Sequence, residues 1–121
     1  MTVMMIKIEA FVRQEKFEDV KAALDKIGVN GITVSQVMGC GTQRGYKEVV
    51  RGMEIDMQMQ PKIKFEIVVS SESWAEKTID AIVASAYTGE VGDGKIFTYE
   101  VKSALKIRTK ETGYEAIQAT V

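Results

Sequence analysis

Lys62-Ile-Lys-Phe-Glu-Ile-Val-Val69 alternates: Ile63, Phe65, Ile67 and Val69 fall on one side, Lys64, Glu66 and Val68 on the other. That period of two marks a strand with one core face. Residues 4–12 carry the same pattern, with Ile6, Ile8, Ala10 and Val12 opposed to Lys7, Glu9 and Phe11. After the first such strand, Phe17, Val20, Ala23, Leu24 and Ile27 recur at helical spacing over 15–28, and Gly28 suits a helix stop. Residues 31–38 return to a strand pattern with Ile32, Val34 and Val37. After the second, Ser71 or Ser73 can cap a helix, with Glu76 three residues beyond Ser73; Trp74, Ile79, Ile82, Val83 and Ala86 mark it through about 88. A fourth strand runs through Phe97–Val101. The order β-α-β-β-α-β is the split pattern of a ferredoxin-like α+β sandwich, one antiparallel sheet with both helices on one face. The halves share little identity, so the repeat is topological.

A chain of 121 residues suits one domain, 1–121, with a modest core. Its 45% hydrophobic and 27% charged residues are an ordinary balance, and a net charge of −1 gives no general attraction to nucleic acid. No apolar run is long enough to insert in a membrane and no signal segment is evident, so a cytoplasmic protein is expected. Cys40 is the single cysteine and there is no histidine. This excludes a disulfide framework, fits a reducing compartment and argues against a structural zinc site or a histidine acid–base.

Residues 91–97, Val-Gly-Asp-Gly-Lys-Ile-Phe, join the second helix to the fourth strand. Gly92 and Gly94 can adopt angles that a side chain forbids and leave amide N–H groups open to an anion; Lys95 adds a point charge beside them. Phosphate suits such a loop, although it is not a Walker loop. A tight turn with a solvated lysine and with Asp93 between the glycines is the alternative.

The halves are joined by residues 39–61, far longer than a hairpin needs. The segment is rich in glycine at its start and apolar near its tip, with Val49, Val50, Met53, Ile55, Met57 and Met59. A partner-binding loop is expected, since methionine adapts to varied surfaces; an extended hairpin covering itself is the alternative. After the fourth strand, Lys106 and Arg108 alternate, so they point to one side and with Lys95 would surround a polyphosphate. The alternative is a solvated basic edge.

Taken in order, several of these pieces resemble the PII signal-transduction protein family over nearly the whole chain. They are Lys7-Ile8-Glu9-Ala10, Gly39-Cys40-Gly41-Thr42-Gln43-Arg44-Gly45, Arg51-Gly52, Pro61-Lys62-Ile63-Lys64, Thr88-Gly89 running into Gly92-Asp93-Gly94-Lys95-Ile96-Phe97, and Lys106-Ile107-Arg108-Thr109. The resemblance implies a homotrimer whose sheets face a central axis, with ATP or ADP in each cleft between neighbours. It implies a long T-loop over about 40–60 that reaches partners, and a C-terminal segment over about 102–121. It assigns nucleotide binding to Phe11, Thr33, Gly39, Gly41, Gln43, Glu66, Val68, Gly92, Asp93, Gly94 and Lys95. Lys106 and Arg108 would reach in from the next subunit. The family usually has arginine at both of these positions, and Lys106 cannot make the bidentate fork.

The same resemblance implies 2-oxoglutarate beside the nucleotide, held by Gly41, Thr42, Gln43, Arg44, Gly45 and Lys62, with Mg²⁺ taking an oxygen from Gln43. Val50, Arg51, Met53, Glu54 and Ile55 would meet a regulatory protein partner: an ammonium transporter, or an enzyme of nitrogen assimilation or fixation. Ile55 stands where many members carry a modifiable tyrosine, and Met53 where some carry a serine. The function implied is a non-enzymatic sensor of adenylate state and 2-oxoglutarate. The alternatives are a nucleotide-dependent phosphotransfer enzyme or ATPase, for which no base is evident, and a ferredoxin-like binder of metal or RNA, for which no ligand set is evident.

Overall fold

The computed structural model describes residues 4–29, 31–42, 48–50, 53–55 and 57–117. Four long strands are present: β1 (Met5–Arg13), β2 (Ile32–Thr42), β5 (Met57–Val69) and β6 (Gly94–Val101), with a small pair β3 (Glu48–Val50) and β4 (Met53–Ile55) between β2 and β5. The helices are α1 (Phe17–Lys26), α2 (Glu72–Ala86) and a single turn α3 (Tyr114–Ile117). The main sheet has the order β2-β5-β1-β6, and its adjacent strands are antiparallel. This is the ferredoxin-like arrangement expected from the alternating segments.

Alternation decides the layers. Ile6, Ile8, Ala10 and Val12 of β1 and Ile63, Phe65, Ile67 and Val69 of β5 are all buried. Val20 and Leu24 of α1 and Ala75, Ile82 and Ala86 of α2 complete this core. Phe65 lies at its centre and stacks on Phe17 at 5.8 Å between centroids. Thr78, the buried polar residue of α2, donates its hydroxyl to the Trp74 carbonyl at 2.7 Å, so its burial is compensated.

Local signals set the element ends. The helix expected over 15–28 begins with a 3-10 turn at Gln14–Lys16 and is α-helical only from Phe17. Gly28 takes φ of 85°, its N–H reaches the Asp25 carbonyl and the Val29 N–H reaches that of Leu24, which is a Schellman stop. At α2 the cap is Ser71, whose Oγ accepts from the Trp74 N–H at 3.2 Å; the Ser73–Glu76 pair is not the capping box. That helix ends at Ala86 rather than 88.

The long connection differs most from expectation. β2 runs on to Thr42 and β5 starts at Met57, with Gly39 opposite Gln60 and Thr42 opposite Met57. Both flanks of the segment therefore continue the ladder as an extended hairpin. Within it, Val50 pairs with Met53, Val49 with Glu54 and Glu48 with Ile55. Gln43, Arg44, Gly45 and Arg51 lie outside the described residues.

Replacing Phe65 by Ala is expected to lower stability by about 3–5 kcal/mol in denaturant titrations at fixed protein concentration, since the ring is fully buried. A loss below about 1 kcal/mol would contradict this packing.

Candidate functional site

The second face of the sheet, opposite α1 and α2, is largely open among the described residues, with only the end of α3 beside it at Ile117. By register its rows are Lys95–Phe11–Lys64–Ser35, then Phe97–Glu9–Glu66–Thr33, then Tyr99–Lys7–Val68. Lys7 pairs with Glu66 at 3.0 Å and with Glu9 at 3.7 Å, while Lys64 pairs with the same two carboxylates at 3.6 and 3.5 Å. The hydrogen bond from Lys7 holds Glu66 below its usual range and, reciprocally, raises Lys7. Phe11 and Phe97 meet edge to face at 6.2 Å.

At one end of this face lies the 87–95 loop. Its organiser is Asp93. The carboxylate accepts from the Thr88 hydroxyl, from the Thr88 and Gly89 N–H groups at 2.9 Å each, and from Arg13 Nε at 3.0 Å. Chiefly through the Thr88 hydroxyl and then its N–H, with Gly89 and Arg13 adding, these bonds hold Asp93 well below the usual carboxylate range. Arg13 also donates from Nη2 to the Val91 carbonyl at 2.8 Å. Lys62 Nζ donates to the Gly92 carbonyl. Burial, with Arg13 nearby, pushes Lys62 below the ordinary lysine value. Among the described residues Lys95 makes no ion pair.

The glycines prove necessary for a reason other than ligand access. Gly94 has φ of 107°, and a Cβ there would sit 1.7 Å from the Phe11 carbonyl oxygen, so the loop can pack on β1 only with glycine. At Gly92, with φ of 105°, a Cβ would meet the Arg13 guanidinium at 3.3 Å. Gly39 likewise makes room for Lys62, whose Cγ would lie 3.2 Å from a Cβ.

The structure thus gathers Phe11, Gly39, Lys62, Gly92, Asp93, Gly94 and Lys95 at one end. Thr33, Glu66 and Val68 line a separate cavity of about 360 Å³ with Lys7, Gly31 and Ile117. Lys106 and Arg108 are at the far end. Gly94 pairs with Val12 and Val101 with Met5, so at about 3.3 Å per residue roughly 23 Å of β6 separates them. Residues 104–113 then close a tight turn: Leu105 bridges Thr112, Lys106 N–H reaches Glu111, and Leu105 shares a cavity with Met5. This corrects the alternating-strand reading of Lys106 and Arg108. Lys106 is ion-paired to Glu111 at 3.8 Å and Arg108 is exposed on the turn. Within one chain they do not meet Lys95.

A model of the family described as nitrogen regulatory protein P-II matches residues 5–111. The chain belongs to that family. A relative named nitrogen regulatory protein P-II 1, from Methanothermobacter thermautotrophicus, is 50% identical over 113 residues, 93% of this chain and 97% of its own. A solved complex of B. subtilis GlnK with ATP superposes with a TM-score of 0.78 at 40% identity, covering 93% of this chain and 97% of that one. Arabidopsis thaliana PII bound to citrate gives 0.77 at 37% identity, covering 99% and 95%. Among the described residues of this P-II chain no helix is long and apolar enough to cross a membrane.

Sequence reasoning missed Arg13. Its strand position on the uncovered face was visible, but its partner lies across the fold at Asp93, which periodicity cannot reveal. Asp93, expected in the nucleotide site, also holds the loop together.

Asp93→Ala is expected to speed hydrogen exchange at the Thr88 and Gly89 amides while α2 amides stay protected. Because the folded pKa is depressed, the loop's stabilisation is present above the unfolded aspartate value of about 3.9 and fades only as pH falls through the lower folded value. Protection already lost between about pH 6 and 5 would contradict this.

Proposed function

We propose that this chain is a non-enzymatic sensor of adenylate state and 2-oxoglutarate. It acts as a cytoplasmic homotrimer that regulates nitrogen-metabolism partners through its T-loop. One observation carries the reading: a loop fixed by Asp93 presents Lys95 beside Arg13 and Lys62, while the other expected phosphate cations sit at the opposite end of the sheet. A second copy is what brings the two ends together. The exposed Phe97 and Tyr99 and the neutralised Lys7–Glu9–Lys64–Glu66 cluster suit a face covered by other copies.

In that assembly Gly92, Gly94 and Lys95 hold the phosphates from one copy, and Lys106 and Arg108 approach from the next. Phe11 gives packing area to the base; Thr33, Glu66 and Val68 line the pocket, and Gly39 and Gly41 border it. Gln43 would offer an oxygen to a Mg²⁺ ion, a hard cation that prefers oxygen ligands. Bound there, the ion would supply positive charge against the phosphates. Lys62, with Gly41, Thr42, Gln43, Arg44 and Gly45, receives 2-oxoglutarate. The GlnK–ATP complex and the citrate-bound PII among the relatives support both ligand classes.

Ligand state then biases the T-loop by differential binding, for which about 1–3 kcal/mol of coupling suffices. Val50, Arg51, Met53, Glu54 and Ile55 face the partner, whether an ammonium transporter or an enzyme of nitrogen assimilation or fixation. Ile55 and Met53 have no hydroxyl to modify, so control is by ligands alone. A phosphotransfer reading is weaker, because Asp93 with its depressed pKa is a poor base.

Lys95→Ala is expected to weaken ATP binding at least about tenfold in calorimetry, a loss of about 1.4 kcal/mol, with the assembly intact. Unchanged affinity would sink the phosphate assignment. Gln43→Ala should abolish 2-oxoglutarate binding and leave ATP binding largely in place. Equal loss of both ligands would refute that division.

A further inference from the structure

Pairing of β2 with β5 continues past the helix-covered core. Ile32, Val34 and Gln36 stand opposite Ile67, Phe65 and Ile63, and those three β5 residues are buried. The same side of the ladder then carries Met38 opposite Pro61 and Cys40 opposite Met59. Met38 is 57% and Met59 65% exposed, and Cys40 is exposed. Three sulfur-bearing side chains therefore share one open face of the hairpin. They lie apart in the sequence and meet only through the register. Burial does not account for the trio, because all three reach solvent.

Their spacing suits one ion. Directly opposite residues hold their Cβ atoms about 4.5–5.5 Å apart, and Met38 lies about 6.6 Å along β2 from Cys40. Methionine is flexible about its three side-chain bonds, so both thioethers can swing toward the shorter cysteine. The donor set then selects the ion. Thiolate and thioether ligands are soft and favour Cu(I). One thiolate and two neutral thioethers carry a single negative charge, which a monovalent ion cancels. Zn²⁺ would keep excess charge there, and its structural sites take four thiolate or imidazole ligands, whereas the chain has one cysteine and no histidine.

We propose that Met38, Cys40 and Met59 form a site for one soft monovalent metal ion, Cu(I), on the helix side of the β2–β5 hairpin. On binding, the Cys40 thiol releases its proton to solvent and its sulfur donates an electron pair to the ion. The two thioethers each donate a pair without losing a proton, and the metal keeps its oxidation state. The ion bridges β2 to β5 where the ladder leaves the body of the fold. None of the three residues belongs to the nucleotide or 2-oxoglutarate assignments above, so the inference is independent of them.

The test is anaerobic titration of the reduced full chain with Cu(I) against the chelator bicinchoninate. It compares wild type, Cys40→Ser and the double variant Met38→Leu with Met59→Leu. Wild type should take one ion per chain from the chelator, and its copper X-ray absorption should show three sulfur neighbours. Leucine keeps the bulk of methionine without the sulfur, so the double variant should fold and lose at least about tenfold in affinity. Cys40→Ser should lose more. Ag(I) should compete for the site and Zn²⁺ should not. Equal affinity in the double variant and wild type would reduce the site to an exposed thiol and overturn the inference. One ion per two chains, the mark of thiols bridging separate molecules, would overturn it too, as would displacement of copper by equimolar Zn²⁺. Wild type that takes no copper from the chelator also contradicts the proposal. If Cys40→Ser does not fold, the double variant decides.

Discussion

The Asp93 carboxylate is the point on which the rest of the site depends. It gathers Thr88, Gly89 and Arg13 and so bends the chain between α2 and β6 into one shape. The four donors converge on one charged acceptor, and such charge-assisted bonds are stronger than neutral ones. The loop's glycines follow from it: Gly94 can pack against the Phe11 carbonyl only because it has no side chain. Lys95 is then delivered to the uncovered face of the sheet, next to Phe11 in the register.

The sheet itself imposes the second constraint. β6 places the glycine loop at one end and the Lys106–Arg108 turn at the other. A strand is stiff over this distance, so a single copy keeps the two cationic regions apart. The polyphosphate site proposed from both regions would need the head of one copy to meet the tail of the next, as in a closed ring. Lys62, at the root of the long hairpin, packs beside Gly39 and binds the Gly92 carbonyl, so the start of β5 and the glycine loop share one side chain.

The fold was legible because β1 and β5 alternate without interruption and α1 and α2 carry clear apolar stripes. Phe65, Ile8 and Leu24 announce themselves by position. The strand extensions to Thr42 and from Met57 were not legible: Gly39-Cys40-Gly41 reads as a break, and only pairing with residues 58–60 keeps it extended. Lys106 and Arg108 misled through local alternation, which the Leu105–Thr112 bridge and the contact with Glu111 override. Gly92, Asp93, Gly94 and Lys95 were recognised as a unit, yet the work of Asp93 was not, since its partner Arg13 is eighty residues away in sequence. Long-range polar pairing leaves no periodic trace in the chain.

The central claim, that each nucleotide site is shared between copies, is tested most directly by subunit mixing. Lys95→Ala and Arg108→Ala chains are each prepared, shown to bind ATP poorly alone, then unfolded and reassembled together. The account predicts that mixed assemblies regain tight ATP binding, because one interface pairs an intact Lys95 with an intact Arg108. Mixed assemblies that bind no better than either parent would contradict it.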